Sequence, residues 1–121
     1  MSFIAHPTAA QAAGGAGEER AEAFLAAHGL AIVARNYRTK AGEIDVIARD
    51  GPTLVFVEVR VRSPNRFGGA LASITPRKQR RIVAAARQFL MRLTPVPPCR
   101  FDVIALEDDA PVWIRGAFDA G

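Results

Sequence analysis

The chain holds one cysteine, Cys99, among 121 residues. That excludes an internal disulfide and a cysteine-based metal cluster, and it fits a reducing cytoplasm. A free thiol of this kind is expected to pack as a small core hydrophobe. Histidine is equally sparse: His6 and His28 stand too far apart to form a ligand cluster, and each is expected at the surface or in a terminal tail. Aromatic residues make up 7% of the chain and follow no base-stacking spacing, so Trp113 and Phe118 are expected in the core or at an interface. No apolar run reaches the roughly 20 residues that a membrane helix needs. The first residues also lack the basic start and apolar centre of a secretory signal. A soluble cytoplasmic protein is expected. Finally, Asp and Glu are missing from Val59 to Phe101, a stretch that carries ten Lys and Arg residues.

What is present is half hydrophobic by composition, enough for one domain whose core needs no covalent staples. Residues 1–16, rich in Ala and Gly around Pro7, read as a flexible tail, leaving 17–121 as the domain. From Gly17 to His28 the positions Ala21, Phe24, Leu25 and Ala27 have helical spacing, with Glu18, Glu19 and Glu22 near the start and Gly29 as the stop. Leu30 to Arg38 reads as a strand. After a hairpin and a loop over Ser63 to Gly69, Thr75 and Pro76 open a second helix. Its core stripe is Ile82, Val83, Ala86, Phe89, Leu90 and Leu93, and its other face is basic. Arg100 to Leu106 and Val112 to Arg115 close the chain as strands. The class is α/β, in the order helix, three strands, helix, two strands.

The hairpin carries the chemistry. Gly42-Glu43-Ile44-Asp45-Val46-Ile47-Ala48 and Leu54-Val55-Phe56-Val57-Glu58-Val59-Arg60 are apolar strands with acids set into them, joined through Asp50-Gly51-Pro52. Alternation puts Glu43, Asp45 and Ile47 on one face of the first strand, and Ile44, Val46 and Ala48 on the other. A loop of four residues, Asp50 to Thr53, places Asp45 opposite Glu58; a loop of two places it opposite Phe56, with Glu58 diagonal. Either register brings the carboxylates within about 5 to 8 Å at Cβ, where like charges repel. A divalent cation removes that repulsion. Mg²⁺ suits, since it takes one or two carboxylates and completes its shell with water and phosphate oxygens. The plainer alternative is a set of salt bridges to Arg49, Arg60 and Arg62. The acid-free basic run beside this pair favours a polyanion, although it also reads as a solvated face.

Asp45 followed by Glu58-Val59-Arg60 resembles the D…(D/E)xK site of the PD-(D/E)xK nucleases. The ordered set Gly17-Glu18, Asn36-Tyr37-Arg38, Gly42-Glu43-Ile44-Asp45, Phe56-Val57-Glu58-Val59-Arg60, Phe67-Gly68, Lys78 and Arg100-Phe101-Asp102 is similar to the YraN family, uncharacterised protein family 0102. The resemblance implies a restriction-endonuclease-like mixed sheet of about five strands flanked by two main helices, akin to Holliday-junction resolvases. It implies a Mg²⁺- or Mn²⁺-dependent endonuclease acting on DNA, branched DNA included, with a homodimer as the form a two-fold junction suggests. Asp45, Glu58 and Arg60 would be the catalytic residues. Glu18 would join Asp45, Glu58 and the Val59 carbonyl at the metal, although from sequence alone Glu18 is only a charge near a helix start. Arg62, Lys78 and Arg81 are candidate phosphate contacts. Arg60 departs from the usual lysine, and guanidinium stays protonated and is a poor base. It would instead steady the phosphate or the attacking water, or form a salt bridge with Glu58 or Asp45. The alternative function is a nuclease-like module that binds nucleic acid without cutting it; a third is a basic surface for an acidic protein partner.

Overall fold

The computed structural model describes residues 3–4, 9–61, 74–107 and 110–120. In chain order these form β1 (Phe3–Ile4), α1 (Ala9–Ala27), β2 (Ala31–Arg38), β3 (Glu43–Asp50), β4 (Thr53–Val61), α2 (Pro76–Leu90), β5 (Cys99–Glu107) and β6 (Ala110–Phe118). One sheet contains all six strands in sequence order. β1 runs parallel to β2 and β4 parallel to β5, and the other neighbours are antiparallel, so the sheet is mixed. The strand beyond the expected five is the two-residue β1. It lies within the segment read as a tail, and α1 also starts there, at Ala9 rather than Gly17, through an alanine-rich run of high helix propensity. His6, Arg62 and the Gly68-Gly69 pair lie outside the described residues. No helix among the described residues is long and apolar enough to cross a membrane.

Alternation along the central strands sorts the core into two layers. Val46, Ala48, Val55, Val57, Ile104 and Leu106 pack with Ala21 and Leu25 of α1. Ile44, Ile47, Leu54, Phe56, Phe101 and Val103 pack with Ile82, Val83, Ala85, Ala86 and Phe89 of α2. Thr75 caps α2, its hydroxyl accepting from Lys78 N at 3.1 Å, and Pro76 follows where a missing N–H costs nothing. Trp113 is partly buried against the α1 layer, and Phe118 stacks on Phe101 at 5.1 Å. His28 is exposed, with its Nδ1 2.8 Å from the Phe24 carbonyl. Cys99 contradicts the expectation of a core thiol: it is exposed at the first residue of β5.

Three further features shape the site. The β3–β4 loop is only Gly51-Pro52, since Asp50 pairs with Thr53, yet Arg49 pairs with Leu54 as in the longer-loop reading. The same register continued by one step would set Asp45 opposite Glu58 and not Phe56, and the ladder itself ends at Val46–Val57. Strict alternation in β3 fails at Asp45, because Ile44 joins Ile47 in the α2 layer instead of sharing a face with Val46. The neighbouring strand is irregular at the same level: Asn36, set between the Arg35–Val46 and Tyr37–Ile44 pairs, has φ of 52°. Asparagine tolerates that left-handed backbone better than most residues.

The Arg100-Phe101-Asp102 motif is structural. Asp102 is fully buried, and its carboxylate accepts from Arg100 Nε at 3.1 and 3.2 Å, Trp113 Nε1 at 2.9 Å and Gly116 N at 3.0 Å. Arg100 also reaches Asp50 at 3.0 Å. The network ties β5 to β6 and to the hairpin turn.

Candidate active site

The β3–β4 ladder ends at the Val46–Val57 pair. Just beyond it the Val59 N–H donates to Asp45 Oδ2 at 2.9 Å, so a side chain takes the place of a strand carbonyl. Glu58 is 4% exposed. Burial is the main force that holds the Asp45 carboxyl well above its ordinary range; repulsion from Glu58, a hydrogen bond shared with it and the charge of Glu18 add to this, while the Val59 N–H opposes it. The two acids of the motif thus meet where the hairpin opens.

Glu18 approaches from α1. A Cβ on Gly17 would lie 3.1 Å from Val61 Cγ2 and 3.4 Å from Leu106 Cδ1, so the helix rests closely on the ends of β4 and β5. The Glu18 carboxyl is raised by burial and then by Glu22, against the pull of Arg35, Arg38 and a hydrogen bond from Asn36. Its Oε2 is buried and has no hydrogen-bond partner among the described residues. Glu22 pairs with Arg35 at 3.5 Å. Arg35 was not named from sequence, Asn36 only within the Asn36-Tyr37-Arg38 motif, and Glu22 only as a charge near the helix start. An asparagine inside a predicted strand, where that residue is depleted, was the available signal.

Two cations hold Glu58 from the α2 face. Lys78 Nζ is 2.9 Å and Arg60 Nη2 3.4 Å from Glu58 Oε2. Arg60 therefore makes the salt bridge weighed as its alternative role, and its Nε is buried without a partner among the described residues. Lys78, expected among the phosphate contacts, reaches the carboxylate itself. Gly42 makes that approach feasible: a Cβ there would collide with the Arg81 carbonyl oxygen of α2. Thr39 shapes this turn, its Oγ1 accepting from Ala41 N at 3.0 Å and Gly42 N at 3.1 Å. Arg81 is exposed and, with Arg77, Lys78, Thr75 and Glu43, lines an open cleft of about 210 Å³ beside the acids. Glu43 is exposed and pairs with Arg38 at 3.3 Å. A larger, mostly apolar cleft of about 670 Å³, with Ala31, Arg49, Leu54 and Phe89 in its wall, lies at the other end of these strands.

Asp45 and Glu58 are oxygen donors of the kind a hard cation takes. Asp45 and Glu58 are adjacent carboxyls whose repulsion such an ion relieves, and Glu18 Oε2 is a buried acceptor that nothing described here satisfies. Among the described residues no group of three or more His, Cys, Asp or Glu side chains is placed to hold a metal ion, so Glu18 does not join Asp45 and Glu58 as a third ligand in this arrangement. Mg²⁺ does not need a third, because it keeps much of its water. Val59 contributes its N–H to Asp45 rather than standing apart from the pair.

A mixed sheet flanked by α1 and α2, with acids from neighbouring strands at its open end, defines a restriction-endonuclease-like α/β protein. Residues 17–106 match the family model described as "Uncharacterised protein family UPF0102". The chain is 62% identical over 112 residues to a UPF0102 protein of Cupriavidus taiwanensis, covering 91% of this chain and 85% of the relative. A UPF0102 protein of Janthinobacterium is 50% identical over 119 residues, covering 98% and 97%, and one of Ralstonia pickettii is 58% identical over 112 residues, covering 88% and 90%. The chain belongs to this family, the YraN family.

Proposed function

We propose that this protein is a Mg²⁺- or Mn²⁺-dependent endonuclease that hydrolyses phosphodiester bonds in DNA. The observation that carries the reading is the meeting of Asp45 and Glu58 where the β3–β4 ladder ends, beside the basic face of α2. Asp45 and Glu58 would hold the metal, with the Val59 carbonyl as a further oxygen donor. A bound divalent ion supplies charge stabilisation at the phosphate and a more acidic water. The Val59 N–H orients the Asp45 carboxylate. Arg60, permanently protonated, offers positive charge to the developing phosphorane and does not take a proton. Arg81 and Arg77, exposed beside the acids, steer the backbone of the nucleic acid towards them.

The test is incubation of the protein with Mn²⁺ and branched, linear and single-stranded DNAs, beside Glu58→Ala. Cleavage by the wild type alone is the expected result. Failure of the wild type both to bind Mn²⁺ and to cleave any of these DNAs rejects the proposal. One observation favours a second reading, a nucleic-acid-binding module without catalysis: Glu58 Oε2 is already paired with Lys78 and Arg60. That reading predicts salt-sensitive DNA binding that neither Mn²⁺ nor Glu58→Ala changes.

A further inference from the structure

Glu58 is the most deeply buried acid of the site, and its nearest counter-charge is a monovalent side chain from another element. The Lys78 ammonium stands 2.9 Å from Oε2, the Arg60 guanidinium 3.4 Å. The two cations differ in freedom. Arg60 is on the same strand as Glu58, and its side chain is 23% exposed. Lys78 sits in the first turn of α2 with a side chain 38% exposed, on a flexible stem that opens into the cleft lined by Arg77 and Arg81. A divalent ion on Glu58 Oε2 would stand within a few ångströms of an ammonium held on the same oxygen, and that repulsion weakens the Lys78 pair.

We infer that Lys78 is a resident counter-ion of Glu58, which a divalent cation displaces, and that the released ammonium turns into the Arg77–Arg81 cleft to meet a nucleic-acid phosphate. The inference rests on the metal-binding reading above and adds a competition to it. The ammonium keeps the buried acid neutralised in the metal-free protein, so metal entry and phosphate capture are linked through one side chain. Removing the ammonium strengthens metal binding and weakens phosphate binding. An ordinary supporting residue would leave both unchanged or weaken both.

Isothermal titration with Mn²⁺ on wild type, Lys78→Gln, Lys78→Arg and Arg77→Gln separates these outcomes. Lys78→Gln is expected to bind Mn²⁺ about tenfold more tightly, as loss of a contacting unit charge implies. Lys78→Arg, which retains the charge, should stay near wild type. Arg77→Gln removes an exposed charge that does not pair with Glu58, so it should change affinity by less than about twofold, which screening allows. Equal or weaker Mn²⁺ binding by Lys78→Gln, with melting unchanged from wild type, overturns the inference while leaving the metal site intact. Absence of Mn²⁺ binding in both wild type and Lys78→Gln overturns the metal reading as well.

Discussion

Asp45 and Asp102 show how differently the same side chain can be held. Asp102 is fully buried and accepts from Arg100, Trp113 and Gly116, so its charge is balanced within the fold. Asp45 has one backbone donor and two acidic neighbours, and its carboxyl is pushed well above the ordinary aspartate range. A carboxyl raised in this way favours the folded state fully below its unfolded pKa, and that contribution is lost as pH rises through the folded one. The metal-free protein should therefore gain stability from this group on mild acidification. Asp45→Asn removes the ionisation and keeps an acceptor for Val59. At about pH 7 to 8 without divalent ions it should raise the melting temperature by roughly 3 °C or more and flatten its dependence on pH below that. Mn²⁺ should raise the melting temperature of wild type by mass action and leave that of Asp45→Asn unchanged. Calorimetric melts across that range check both statements.

The two helices reach the site through different kinds of contact. α2 lays its backbone on the start of β3, where a Cβ on Gly42 would press into the Arg81 carbonyl, and neither group can rotate away. α1 meets Val61 and Leu106 through methyl groups, and Val61 is 70% exposed and free to yield. Gly42→Ala should destabilise the protein by about 1 to 3 kcal/mol through overpacking. Gly17→Ala should be within about 1 kcal/mol of wild type, because the gain in helix propensity offsets a soft contact. Urea titrations of both variants test the contrast. The first should also loosen the Lys78–Glu58 pair, since it pushes away the helix that carries Lys78.

Charge along the chain is divided: acids fall in α1, the hairpin and the stretch from Asp102 onward, while the acid-free run between them supplies the basic face of α2. A polyanion guided by that face should show counterion release. Replacing Arg77 and Arg81 with Gln should weaken DNA binding without regard to sequence and reduce the slope of log K against log salt by about 1.5. Fluorescence anisotropy at several salt concentrations measures that slope. Loss of binding without a change of slope would assign the two arginines to a different role.

Much of this was readable in the residues themselves. The stripe of α2, its Thr75-Pro76 start and the two-layer hairpin follow from periods of 3.6 and 2, and the Arg49–Leu54 register that brings Asp45 near Glu58 was one of the two considered. Ile44, Asn36 and Lys78 were not readable in that way. A regular period cannot anticipate a strand that twists out of alternation at Asp45, nor an asparagine that accepts positive φ beside it. Spacing along the chain likewise gave no reason for an ammonium on α2 to land on an acid of β4. Short-range periodicity reports which face of an element is buried; which charge answers a buried carboxylate depends on how closely separate elements pack, and here that distance was set by a glycine pressed against a helix backbone.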